Sequence, residues 1–201
     1  AAALYDDASP LWAGLDFKIA LIIAQVIGYT LSKFIGIKVI SEMTHRWRLW
    51  LLVGFIVWAE LALVGFGVAA GSTWSLMWLL LNGLPLGMIW GIVFSYLEGR
   101  QTSEMLGAGL CVSFIVSSGA VKSVGTWLMQ SQGIGQYWMP AAVGSLFFLP
   151  LLLFALLLEQ IPKPSAEDIF SRTERKPMTV RERQDFFLRF FPKPVELRHL
   201  P

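Results

Sequence analysis

The sequence predicts an all-α protein, a polytopic bundle of five membrane-spanning helices, and three observations carry that prediction. Five stretches, about 17–41, 49–70, 74–97, 105–129 and 137–158, are apolar over the roughly 20 residues that a helix needs to cross a hydrocarbon layer of about 30 Å. The 201 residues are 55% hydrophobic and only 15% charged, with a mean hydropathy of +0.60, a balance foreign to a water-soluble domain. Basic residues also alternate between the intervening segments. Nine of the 16 Lys and Arg follow residue 160 and none precedes Lys18, so the net charge of +2 conceals a topological asymmetry.

Residues 1–16, AAALYDDASPLWAGLD, carry Asp6, Asp7 and Asp16 without a Lys or Arg, and read as an outer segment with Trp12 at the interface. The chain opens on Ala, which points to a truncated or processed N-terminus, and no basic n-region with a short apolar core marks a signal peptide. Lys18 and Lys38 lie near the two ends of the first span, where a lysine snorkels to headgroups; Lys33 lies deeper. The basic turn EMTHRWR, with His45, Arg46 and Arg48, leads inward-side sequence into the second span, which is interrupted by Glu60. An uncharged turn, Ala70-Gly71-Ser72-Thr73, precedes the pair of spans around which the chain is organised.

The third span, 74–97, has no charged residue, and the fourth, 105–129, has only Lys122. Gly83, Gly87 and Gly91 recur every four residues on one, while Gly107, Gly119 and Gly125 stud the other. Each would cost a soluble helix about 1 kcal/mol, so closely approaching backbones are the expected reason for them. Pro85 predicts a kink. Asn82, Gly83, Pro85 and Gly87 thus read as a gate of irregular backbone or, more simply, as a close-packed surface. The loop SQGIGQ leads to the fifth span, which Pro140 and Pro150 are expected to bend. Trp74, Trp78, Trp127, Tyr137 and Trp138 mark an outer aromatic belt, and Trp47 and Trp50 an inner one.

Three regions follow: an outer segment 1–16, a transmembrane domain 17–160 and a cytoplasmic tail 161–201. The tail opens on the Pro-rich break IPKPSAED and carries the capping pattern Thr179-x-x-Glu182 ahead of an amphipathic helix at about 179–191. Val180, Phe186, Phe187, Leu188, Phe190 and Phe191 share one side of that helix, and Arg181, Glu182, Asp185 and Arg189 the other, which suits the inner membrane surface. The end, KPVELRHLP, reads as disordered.

Ionisable groups within spans cost a few kcal/mol on insertion scales, which singles out Lys33, Glu60 and Lys122. Two readings compete. The lysines hold an anionic solute as point charges while Glu60 exchanges a coupling proton, or Glu60 is structural and either neutralises a lysine as a pair or stays protonated. An enzyme is not expected, because His45 and His199 lie in a loop and the tail, Ser117-Ser118-Gly119 has no base in reach, and no HExxH or GxxxxGK[ST] occurs. Cys111 stands alone in an apolar helix, which leaves no disulfide or cysteine metal site. No metal and no cofactor are called for, and the dispersed basic residues give no nucleic-acid footprint.

The stretches GYTLSKFIGIKVISE (28–42), NGLPLGMIWGIVFSYLEGR (82–100) and LGAGLCVSFIVSSGAVKSVG (106–125) resemble the major facilitator superfamily, in particular an uncharacterised bacterial branch of it. Ser32-Lys33-Phe34 followed by Gly36 is also similar, more weakly, to organophosphate:phosphate antiporters. Where that superfamily has a G-x-x-x-D-R-x-G-R-R loop, this chain has Gly36, then Glu42 at the acidic position and Arg46 or Arg48 at a basic one, without the second glycine. The resemblance implies that the spans are helices 2 to 6 of a twelve-helix secondary transporter in a bacterial inner membrane, N-terminus outside and C-terminus in the cytoplasm. The partners it implies are the lipid bilayer, a small solute, anionic if the span lysines hold it, and helices 1 and 7–12 from the same protein or a second chain. The alternative is a membrane scaffold or interaction protein that keeps the fold without transport.

Overall fold

The computed structural model describes residues 16–162 together with Tyr5, Ser165, Glu167, Asp168, Thr179, Arg181, Glu182, Gln184 and Asp185. It is all-helical over these residues: α1 (Phe17–Glu42), α2 (His45–Val68), α3 (Trp74–Leu97), α4 (Ser103–Ser131) and α5 (Met139–Glu159). All five are long and apolar enough to cross a membrane. Asp16 starts α1 by accepting a hydrogen bond from the Lys18 backbone N–H at 2.9 Å. The helices run past the apolar stretches at several ends. Only Met43 and Thr44 separate α1 from α2, where the sequence suggested a loop from Glu42 to Arg48. Hydropathy marks the edge of the hydrocarbon, whereas backbone hydrogen bonding continues for another turn beyond it. Pro140 corrects a second expectation. It sits in the first turn of α5, where no backbone N–H is needed, and so opens that helix instead of bending it.

α3 lies at the centre. α1 packs against it in the tightest seam, α2 covers another side, α5 lies on α2, and α4 touches α5 and α3 only lightly. Gly28 against Leu80 and Ile40 against Gly91 show that α1 and α3 run parallel. The apolar core is divided between the two ends. Tyr5, Phe17, Leu21 and Phe66 cluster at one end, with Tyr137 and Met139 against them. Met43, Leu52, Ile92, Tyr96 and Ala155 cluster at the other, which also carries Arg46, Arg48 and Arg100 and is called the basic end here.

Tyr5 stands in the left-handed region at φ 58, and its N–H donates to Gln136 Oε1 at 2.9 Å. Its ring lies 5.2 Å from that of Tyr137 and meets Phe17 and Phe66 edge-on. Burial under these rings, with Tyr137 adding to it, pushes the Tyr5 phenol up to about 12. At the basic end the tail is tied down. Asp168 accepts from the Gln101 backbone N–H at 3.0 Å, and Arg100 donates to the Pro162 carbonyl. Thr179 and Glu182 form the expected reciprocal capping box, at 2.7 and 3.3 Å. The apolar side of the expected 179–191 helix, the sequence KPVELRHLP and most of 1–16 lie outside the described residues.

Candidate functional site

Between the two apolar clusters the α1–α3 seam is built from small and polar residues. A Cβ at Gly28 would collide with the Leu80 carbonyl, one at Gly83 with the Gln25 carbonyl, and one at Gly87 with the Ser32 hydroxyl. Only glycine admits this backbone approach, and dispersion between close backbones replaces the hydrophobic drive that lipid cannot supply. Gly36 continues the seam, 3.2 Å from Met88 at the point where its Cβ would stand. Asn82, 3% exposed, crosses it. Its Oδ1 accepts from Gln25 Nε2 at 2.9 Å, and its Nδ2 donates to the Ala59 carbonyl at 2.9 Å, so one side chain ties α1, α3 and α2.

Pro85 lies inside α3 and is fully buried, yet α3 remains helical through it. Proline has no N–H for the carbonyl four residues back, which is that of Leu81. The indole of Trp58 on α2 supplies the missing donor at 3.1 Å. The geometry of Asn82, Gly83, Pro85 and Gly87 is therefore that of a close-packed, internally satisfied surface, with no unwound segment.

The three ionisable residues are not brought together. Lys33 is half-buried on α1, its ammonium 4.6 Å from the centroid of the Tyr29 ring. Glu60 turns toward α5, where Ser145 Oγ donates to it at 2.8 Å and Gly144 gives it room. Among the described residues no lysine is shown paired with Glu60. Lys122 is exposed on α4, and among the described residues no carboxylate pairs with it. α4 buries only Ser103, Gly125 and Leu128. Gly125 is thus packed as expected, but Gly119 faces open space with nothing within 4 Å, so the packing expected there is not made within this chain. The hydroxyls of Ser113, Ser117, Ser123 and Thr126 turn back onto carbonyls of α4 itself. Trp90 reaches Phe114 across the α3–α4 contact, ring centroids 5.1 Å apart.

The resemblance residues at the basic end divide as well. Arg46 and Glu42 are exposed, whereas Arg48 reaches into the bundle and donates to the Ser95 carbonyl at 3.1 Å. Its guanidinium lies 5.6 Å from the Tyr96 ring centroid, and Tyr96 OH donates to Glu159 Oε2 at 2.8 Å. α2, α3 and α5 are joined in this way at one end. Gln25, Trp58, Ser145 and the Tyr96–Glu159 bond escaped the sequence reading. One was inferable: Pro85 guarantees an unmet carbonyl at Leu81, and Trp58 is a residue of the neighbouring span with an indole donor to give.

Helices of this length and apolarity, tied by a polar seam at mid-depth, define a multi-pass α-helical membrane protein. The chain belongs to a family of unknown function, DUF5690, whose profile matches residues 1–197. No curated protein and no solved structure matches it.

Proposed function

We propose that this chain forms part of a secondary transporter of the major facilitator type, moving a small anionic solute by alternating access. The observation that carries this reading is Lys122, an exposed cation within the apolar run of α4 and without a carboxylate partner among the described residues. A lone ammonium facing hydrocarbon costs a few kcal/mol, whereas one facing a water-filled path attracts an anion. Lys33 supplies a second lysine within a span, held over the Tyr29 ring. Helices 1 and 7–12, from the same protein or a second chain, would close the path on the uncovered side of α4. The basic end, with Arg46, Arg48, Arg100 and the tail, then faces the cytoplasm of a bacterial inner membrane.

Reconstituting the whole protein in liposomes and measuring uptake of phosphorylated and carboxylated metabolites tests this. Saturable uptake that Lys33→Gln and Lys122→Gln each lower at least about tenfold, at unchanged protein level, is the expected result; a tenfold loss corresponds to about 1.4 kcal/mol of lost stabilisation. Absence of flux for every solute would leave the scaffold reading in its place.

A further inference from the structure

A groove of about 500 Å³ opens at the corner where α1 ends and α2 begins, lined by Lys38, Val39, Glu42, Met43, Thr44, Trp47 and Leu51. That volume is in the range of small-molecule sites, about 300–1,000 Å³. Its lining is mixed. Lys38, Glu42 and Thr44 supply polar groups, and Val39, Met43, Leu51 and the Trp47 ring supply apolar surface. Lys38 is exposed, Trp47 is 63% exposed, and the Thr44 side chain makes no capping bond to α2. The lining thus holds donors of three kinds, an ammonium, a hydroxyl and an indole N–H. Glu42 in the same lining has an interaction of its own.

The depth of the groove selects the ligand. α1 is 26 residues long, about 39 Å at 1.5 Å per residue, so its last turn extends beyond a hydrocarbon layer of about 30 Å into the headgroup zone. A lining that joins polar groups and apolar surface at headgroup depth fits an amphiphile, and Trp47 is the residue type that anchors at that level. A free phosphate would make no use of Val39, Met43 and Leu51. We infer that this corner binds the phosphodiester headgroup of an anionic phospholipid, with Lys38 and Thr44 on the phosphate and one acyl chain along Val39, Met43 and Leu51. The inference does not depend on transport activity.

The whole protein, delipidated in detergent, is titrated with dioleoyl phosphatidylglycerol and followed by native mass spectrometry and thermal unfolding. One tightly retained lipid per chain and a raised unfolding midpoint are expected, both weakened at least about tenfold in affinity by Lys38→Gln with Thr44→Val. These two exposed positions leave the lipid-free midpoint unchanged, which separates lost binding from lost folding. Inorganic phosphate raising the midpoint equally would overturn the lipid assignment in favour of a free-anion site. Dioleoyl glycerol retained as well as the phospholipid, or undiminished retention by the double variant, would overturn the headgroup contact.

Discussion

α3 and α4 are adjacent in sequence, similar in apolarity and both rich in glycine, yet the bundle treats them in opposite ways. α3 buries Ser75, Asn82, Gly83, Pro85, Gly87, Met88, Ile92, Ser95 and Tyr96, whereas α4 buries three residues near its ends. Gly83 and Gly87 on α3 meet the backbone of α1, while Gly119 and Gly109 on α4 meet nothing within 4 Å. Glycine content therefore reports a capacity for close approach, and only the partner decides whether that capacity is used. α3 is the packed interface of this bundle, and α4 leaves most of its surface uncovered by the described residues.

The contrast breaks most visibly by placing the same bulky side chain on each helix. Gly83→Leu should cost at least about 3 kcal/mol and strongly lower the yield of folded protein, because a Cβ there meets the backbone of α1. Gly119→Leu should leave the thermal midpoint of this chain unchanged. Equal effects of the two substitutions in detergent would show that α4 is packed after all.

Asn82→Leu comes next. Removing the tie among α1, α2 and α3 should cost about 1–2 kcal/mol in unfolding experiments, with Gln25→Leu costing less because the bond to Ala59 survives. Trp58→Phe should then cost about 1 kcal/mol by orphaning the Leu81 carbonyl. Pro85→Ala restores the local donor, so the Trp58→Phe penalty should shrink in that background. A penalty that stays the same in both backgrounds would mean that the indole acts through packing alone.

The smallest effect lies in the tail. Backbone hydrogen bonds from Gln101 and then Ser165 hold the Asp168 carboxyl below its ordinary value, with Arg100 contributing in the same direction. A lowered acid stabilises its contact above the ordinary carboxylate range and loses it as pH falls through the lowered value. Limited proteolysis beyond Glu159 should accelerate only in that acid range, and Asp168→Ala should make cleavage at neutral pH as fast as in acid. Cleavage of the parent chain that does not change with pH would remove Asp168 from the tail contact.

The five spans were legible because each is long enough to cross the membrane with at most a few charged residues within it, and length with apolarity is the physical requirement itself. Helix ends were less so, as the two-residue turn at Met43 and Thr44 shows, since hydropathy does not sense where backbone hydrogen bonding stops. The glycine seam was visible in sequence as a repeat, but its partner was not: nothing in Gly83 or Gly87 names α1 over α4. Glu60 shows the same limit. Its type marked it as costly, while the neighbour that satisfies it, Ser145, lies 85 residues away and has no sequence signal of its own.

The exposure of Lys122 decides between a solute path and a lipid-facing flank. The direct measurement is labelling of Lys122→Cys, on a Cys111→Ser background, in membranes containing the whole protein, with a membrane-impermeant maleimide and a lipid-soluble one. Labelling by the impermeant reagent is expected if α4 borders water. Labelling by the lipid-soluble reagent alone would place Lys122 against hydrocarbon and contradict the transport reading.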